Sequence, residues 1–160
     1  HEEINEKEKR LAVISALSAT TDIFWVKQRG HIFSAESLPI IVTDDIVKLT
    51  KTKDVLEVLE ALKVAEDIER AKERKNIRAG KGKRRGRRYK KAKSVLIVTH
   101  ELSPLFVKAA TNLPGVDVIT AQDVSVIHLA PGGHPGRLTI YTKSSIDVLR
   151  KRFETRLILW

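Results

Sequence analysis

A chain of 160 residues with 42% hydrophobic residues is long enough to close one core around a sheet and too short to require two, so a single domain over residues 1–160 is expected. It contains no Cys, which excludes disulfide frameworks and thiolate zinc sites, and no window reaches the roughly twenty apolar residues of a membrane span. The net charge of +10 is concentrated: residues 75–93 hold eleven of the thirty Lys and Arg and no acid, leaving nineteen basic against twenty acidic groups elsewhere.

The opening "HEEINEKEKR" is charged where a signal peptide would turn apolar, and a soluble cytoplasmic protein is expected. Residues 5–20 then predict a helix, with Asn5 and Glu8 as a capping pair and an apolar face of Leu11, Val13, Ile14 and Leu17. In "WVKQRGHIF" Gly30 suits a left-handed helix cap, and Lys27, Arg29 and His31 cluster. "LPIIVT" (38–43) reads as a strand entered through Pro39. Val55, Val58, Leu59 and Leu62 repeat at helical spacing over 51–62, and "AEDIERAKERK" continues helically with Ile68 and Ala71 inward.

"SVLIVT" (94–99) contains four consecutive apolar residues rather than an alternation, the pattern of a parallel strand covered on both faces. A helix from Ser103 ended by Pro114 and Gly115 follows, then a short strand at 116–119, a strand at 137–142 and a helix beginning near Ser144 or Ser145. Strands and helices alternate throughout. The expected fold is an α/β three-layer α/β/α sandwich with a mostly parallel central sheet.

Between the helix before it and the buried strand after it, "RAGKGKRRGRRYKKAK" (78–93) offers nothing to bury and repels itself, so it is expected to be ordered only by counter-charge, with residues 76–92 mobile in the free protein. Phosphate supplies that charge: Arg makes paired hydrogen bonds to it, Lys acts as a point charge, and Tyr89 can stack on an unpaired base. A mixed-sign solvated face, a nuclear localisation signal and an anionic membrane surface compete with this reading. Nineteen residues without an acid argue against the first, and Gly80, Gly82 and Gly86 against an amphipathic membrane helix.

No active site is legible. "GKGKRRG" lies before a strand, and no GK[ST] follows, so it is not a phosphate loop. His100 and Glu101 follow the buried strand, where α/β proteins hold ligands, but without a third partner they read as a loop histidine and a helix-start carboxylate. "HLAPGGHPGR" (128–137) has two His without a nearby acid, so a metal site there is not expected; it reads as a rigid turn exposing His134 and Arg137. Two classes remain on the residues alone, an RNA-binding structural component and a small α/β enzyme acting on a nucleic-acid or nucleotide substrate.

The stretches "NIRAGKGKRRGRRYKKAKSVLIV", "ATNLPGVDV" and "HLAPGGHPGRLTIYTKSSIDVL", with "NEKEKRLAVISALSATT" and "VKQRGHIF", closely resemble large-subunit ribosomal protein four of the archaeal and eukaryotic type over nearly the whole chain. The resemblance implies a structural and assembly component of the large subunit, partnered by large-subunit rRNA and neighbouring ribosomal proteins, without catalytic activity, cofactor, metal, small-molecule substrate or membrane. It places Arg78, Lys81, Lys83, Arg84, Arg85, Arg87, Arg88, Tyr89, Lys90 and Lys91 against rRNA, with the Gly132, Gly133, His134 and Arg137 turn as a second contact. Family members also carry a further N-terminal part with an Arg- and Gly-rich tunnel extension, which has no match here. The tail "RLILW" (156–160) has no counterpart in the family pattern either; it is expected to pack on the sheet or meet a neighbouring protein.

Overall fold

The computed structural model describes residues 3–154, so the tail 156–160 lies outside the described residues. In chain order the elements are α1 (Glu6–Thr21), α2 (Ile23–Gln28), β1 (Ile40–Val42), α3 (Thr52–Ala61), α4 (Ala65–Glu73), β2 (Asn76–Ile77) and β3 (Tyr89–Lys90). They continue with β4 (Leu96–Thr99), α5 (Pro104–Thr111), β5 (Asp117–Thr120), α6 (Val126–Leu129), β6 (Thr139–Thr142) and α7 (Lys143–Glu154). Four strands form one parallel sheet in the order β1-β6-β4-β5, while β2 and β3 pair antiparallel on their own.

The apolar run at β4 explains the layering. Val95 and Ile97 point to one face, into a core built with Val55 and Leu59 of α3, Ile68 of α4 and Phe106 of α5. Leu96 and Val98 point to the other, against Val13 and Ala16 of α1, Leu129 of α6 and Leu149 of α7. Each of these Val, Leu, Ile and Phe side chains stabilises the fold by about 1.5–3 kcal/mol through its burial. The result is the expected three-layer α/β/α sandwich. Among the described residues no helix is long and apolar enough to cross a membrane.

Two helices differ from their sequence pattern. In α1 the face is rotated: Val13, Ala16 and Thr20 are buried while Leu11 is 55% exposed. Small Ala16 lets the helix approach the sheet, and Thr20 is tolerated there because its hydroxyl meets the Tyr141 hydroxyl at 2.7 Å. Asn5 stands at the N-cap but makes no side-chain cap bond.

The stretch 51–75 is two helices instead of one, because Lys63 adopts φ 57° and the amides of Lys63 and Val64 turn back to the carbonyls of Glu60 and Leu59. At α2 the expected cap is present: Gly30 at φ 88° and His31 bond back to Lys27 and Val26. The start of α7 is held from outside by Asp44, whose carboxylate accepts from the Ser144 amide at 3.2 Å and hydroxyl at 2.6 Å.

Candidate nucleic-acid interface

The basic segment is a narrow ribbon standing on the sandwich. Asn76 pairs with Lys90 and Ile77 with Tyr89, and the Arg78 amide donates to the Arg88 carbonyl at 2.8 Å. Gly80–Arg85 winds as a 3-10 turn, and Gly86 at φ 71° reverses the chain so that the Arg87 amide reaches the Gly82 carbonyl. The chain closes on itself here through glycine turns and a few backbone bonds. Charge alone thus did not reveal that the segment follows a hairpin path. Two strands of two residues are nevertheless far below what is independently stable.

Every residue from Lys83 to Lys91 is exposed, and among the described residues no cation from Arg78 to Lys91 forms an ion pair. Tyr89 is 43% exposed and has the Lys75 ammonium 4.5 Å and the Arg88 guanidinium 5.7 Å from its ring centre. Charge is therefore displayed without internal neutralisation.

The base of the ribbon is fixed by a buried polar network that the sequence did not reveal. Asp67 accepts from His31 Nδ1 at 3.0 Å, the Ile32 amide at 3.0 Å, Arg70 Nε at 2.7 Å and the Ser94 hydroxyl at 2.7 Å. Arg70 also donates to the Lys93 carbonyl at 2.8 Å, and the Lys93 ammonium pairs with Asp117 at 2.7 Å. The only sequence signal was spacing: Asp67 and Arg70 lie three apart on the helix, beside the inward Ile68 and Ala71.

Burial alone would raise the Asp67 carboxyl, but bonds from His31, Arg70 and Ser94 outweigh it and hold the group well below the usual carboxylate range. Burial pushes the His31 imidazole down, against the pull of Asp67, so it is neutral when folded. Both shifts act in one direction. As pH falls below about 6.5 the unfolded chain protonates His31 before the folded chain does, and below about 4 the same holds for Asp67. Stability measured by urea unfolding should therefore decline from about pH 7 towards 5 and fall again below about 4, and Asp67→Asn should shrink the lower limb, leaving the part due to Asp117 and Asp44, whose carboxyls are also held low.

The turn at 131–136 packs beside this base. Arg29 donates to the carbonyls of Pro131, at 2.8 Å, and His134, so α2 staples the turn. Gly136 at φ 83° brings its backbone so close to α2 that an added Cβ would lie 2.4 Å from the Trp25 carbonyl oxygen. Gly132 and Gly133, at φ 80° and 81°, face open space, and His134 is exposed. Between ribbon and turn runs an open groove of about 800 Å³, with Trp25 and Arg29 on one wall, Arg78, Lys90 and Lys91 on another, and Gly132 and His134 at the rim. Its formation from three separate segments is why Trp25 was not singled out in the sequence.

Arg137 corrects the sequence expectation. It is 1% exposed, donating to the carbonyls of Ser94 at 3.0 Å, His128 at 2.9 Å and Gly115 at 3.3 Å, and pairing with Asp117 at 2.6 Å. The turn hides this side chain because its fork satisfies four acceptors from three segments, so it braces the fold instead of being exposed as expected. Arg137→Lys should lower unfolding free energy by about 2–4 kcal/mol, since an ammonium cannot serve the same acceptors. RNA binding by the folded variant should keep its salt slope.

At the carboxyl edge of the sheet, His100 lies 3.6 Å from Asp44 and 3.9 Å from Glu101, both long contacts, while the Ser144 hydroxyl is spent on Asp44 at the start of α7. Among the described residues no group of three or more His, Asp or Glu is placed to hold a metal.

Comparison with known proteins bears directly on this geometry. A family model described as "Ribosomal protein L4/L1 family" matches residues 1–152, which include both the ribbon and the turn. The chain belongs to the ribosomal protein L4/L1 family. A protein of Sulfurisphaera tokodaii named large ribosomal subunit protein uL4 is 72% identical over 158 residues, covering 99% of this chain and 59% of that protein. Proteins of the same name from Saccharolobus islandicus strain M.14.25 and Sulfolobus acidocaldarius are 59% and 57% identical over 158 residues, covering 98% and 99% of this chain and again 59% of each relative. This L4/L1 family chain thus spans about three-fifths of the length of those relatives.

Proposed function

We propose that the chain acts as a non-catalytic structural constituent of the large ribosomal subunit, and that its ribbon binds large-subunit rRNA and supports assembly of the particle in the cytoplasm. The observation that carries this is the ribbon itself: exposed cations with no ion pair among the described residues, mounted on a braced sandwich, in a chain of the L4/L1 family. Arg78, Lys81, Lys83, Arg84, Arg85, Arg87, Arg88, Lys90 and Lys91 meet phosphate, Tyr89, 43% exposed, offers its ring to a base, and the Gly132, Gly133 and His134 turn lets RNA approach the backbone. The near-neutral remainder of the surface faces neighbouring ribosomal proteins and water.

Binding to large-subunit rRNA, measured at several salt concentrations with bulk transfer RNA as competitor, tests this reading. Six to eight phosphate contacts predict a fall in affinity of roughly a thousandfold between about 50 and 200 mM salt. Ribosomal RNA should win the competition. Equal competition by transfer RNA would reduce the ribbon to a nonspecific polycation.

A further inference from the structure

We propose that the groove between the ribbon and the 131–136 turn receives one unpaired nucleotide of the bound RNA, with its base stacked on Trp25 and its phosphate held by Arg78 and Lys91. This rests on the RNA-binding reading and adds to it a distinct subsite that recognises RNA by its departure from duplex form.

Several independent features converge. Trp25 is 42% exposed among the residues lining the groove; Gly136 packs against its backbone and Phe24 meets its ring edge-on at 5.6 Å. An exposed indole beside cations matches how proteins hold splayed bases, by stacking on one side and charge on the other. The space of about 800 Å³ suits a ligand of nucleotide size but not a double helix, whose bases stay inside their own stack.

A third feature is at the groove lining. His31 contributes to it, yet its Nε2 is buried and has no hydrogen-bond partner among the described residues. Because a carboxylate only accepts, His31 Nδ1 carries the proton donated to Asp67, which leaves Nε2 as an acceptor. Asp67 fixes its tautomer, and a ribose 2′-hydroxyl or a base amino group would satisfy this acceptor once the groove wall opens to Nε2, which is buried in the unbound chain.

The test uses the whole chain carrying Trp160→Phe, so that Trp25 is the sole tryptophan. Two RNA hairpins are titrated, identical except for a single-nucleotide bulge. The expected result is about tenfold tighter binding of the bulged RNA with quenching of Trp25 emission. Trp25→Leu should erase the preference with an unchanged salt slope, and Trp25→Phe should restore part of it; circular dichroism confirms that both variants are folded. Equal affinity for the two hairpins, or a preference that survives Trp25→Leu, overturns the nucleotide site while leaving the ribbon reading intact. Failure of both hairpins to bind in a salt-dependent way overturns the ribbon reading and this inference with it.

Discussion

Changing Arg84, Arg85, Arg87 and Arg88 to Ser is expected to lower the slope of log affinity for RNA against log salt by about three and to weaken binding by two to three decades at about 100 mM salt. The expectation follows from where the four side chains sit. All are exposed at the far end of the ribbon, none has a carboxylate partner among the described residues, and none contributes to the core. Their charge is therefore available to phosphate in full. For the same reason the variant should unfold at the same temperature as the parent, or slightly higher as like-charge repulsion is relieved. Weakened binding together with a lost fold would mean that the ribbon braces the sandwich, contrary to the geometry described above.

Asp67→Ala should have the largest effect on stability, a loss of about 3–5 kcal/mol in urea unfolding, a large fraction of the roughly 5–15 kcal/mol typical of a domain. Removing the carboxylate strands a buried guanidinium at Arg70 and removes the acceptor of His31, Ser94 and the Ile32 amide at once. Asp67→Asn keeps the shape but not the charge and should fall between the parent and Asp67→Ala at neutral pH. The damage should reach the interface as well. Arg70 holds the Lys93 carbonyl, so the ribbon base should exchange its amide hydrogens faster in either variant. A loss below about 1 kcal/mol would show that water replaces the carboxylate and that the network is not a keystone.

The sandwich was legible in the sequence because its determinants are local. Four consecutive apolar residues at β4 announce burial on both faces, and Gly30 marks a helix end because glycine adopts positive φ at little cost. The break between α3 and α4 was hidden because a lysine, Lys63, adopts the left-handed conformation that glycine usually marks. The ribbon was legible as charge, but its hairpin path depends on backbone pairing that charge does not encode. Arg137 was misread because, in a turn rich in Gly and Pro, a lone Arg gives no sign of which way it faces; the carbonyls of Ser94, Gly115 and His128 together with Asp117 draw it inward. The groove was illegible for a related reason. Trp25, Arg78 and Gly132 are separated by dozens of residues, and only the packing of α2 against the turn brings them together.

Lysine footprinting of the chain bound to large-subunit rRNA tests the central claim most directly, since it reads which face meets the RNA without any substitution. Brief acetylation followed by mass spectrometry should show Lys81, Lys83, Lys90 and Lys91 protected by rRNA at low salt and exposed again as salt rises. Lys53 and Lys143, which lie outside the ribbon and the groove, should react equally with and without RNA. Protection of Lys53 or Lys143 in place of the ribbon lysines would place the RNA on another surface and contradict the account.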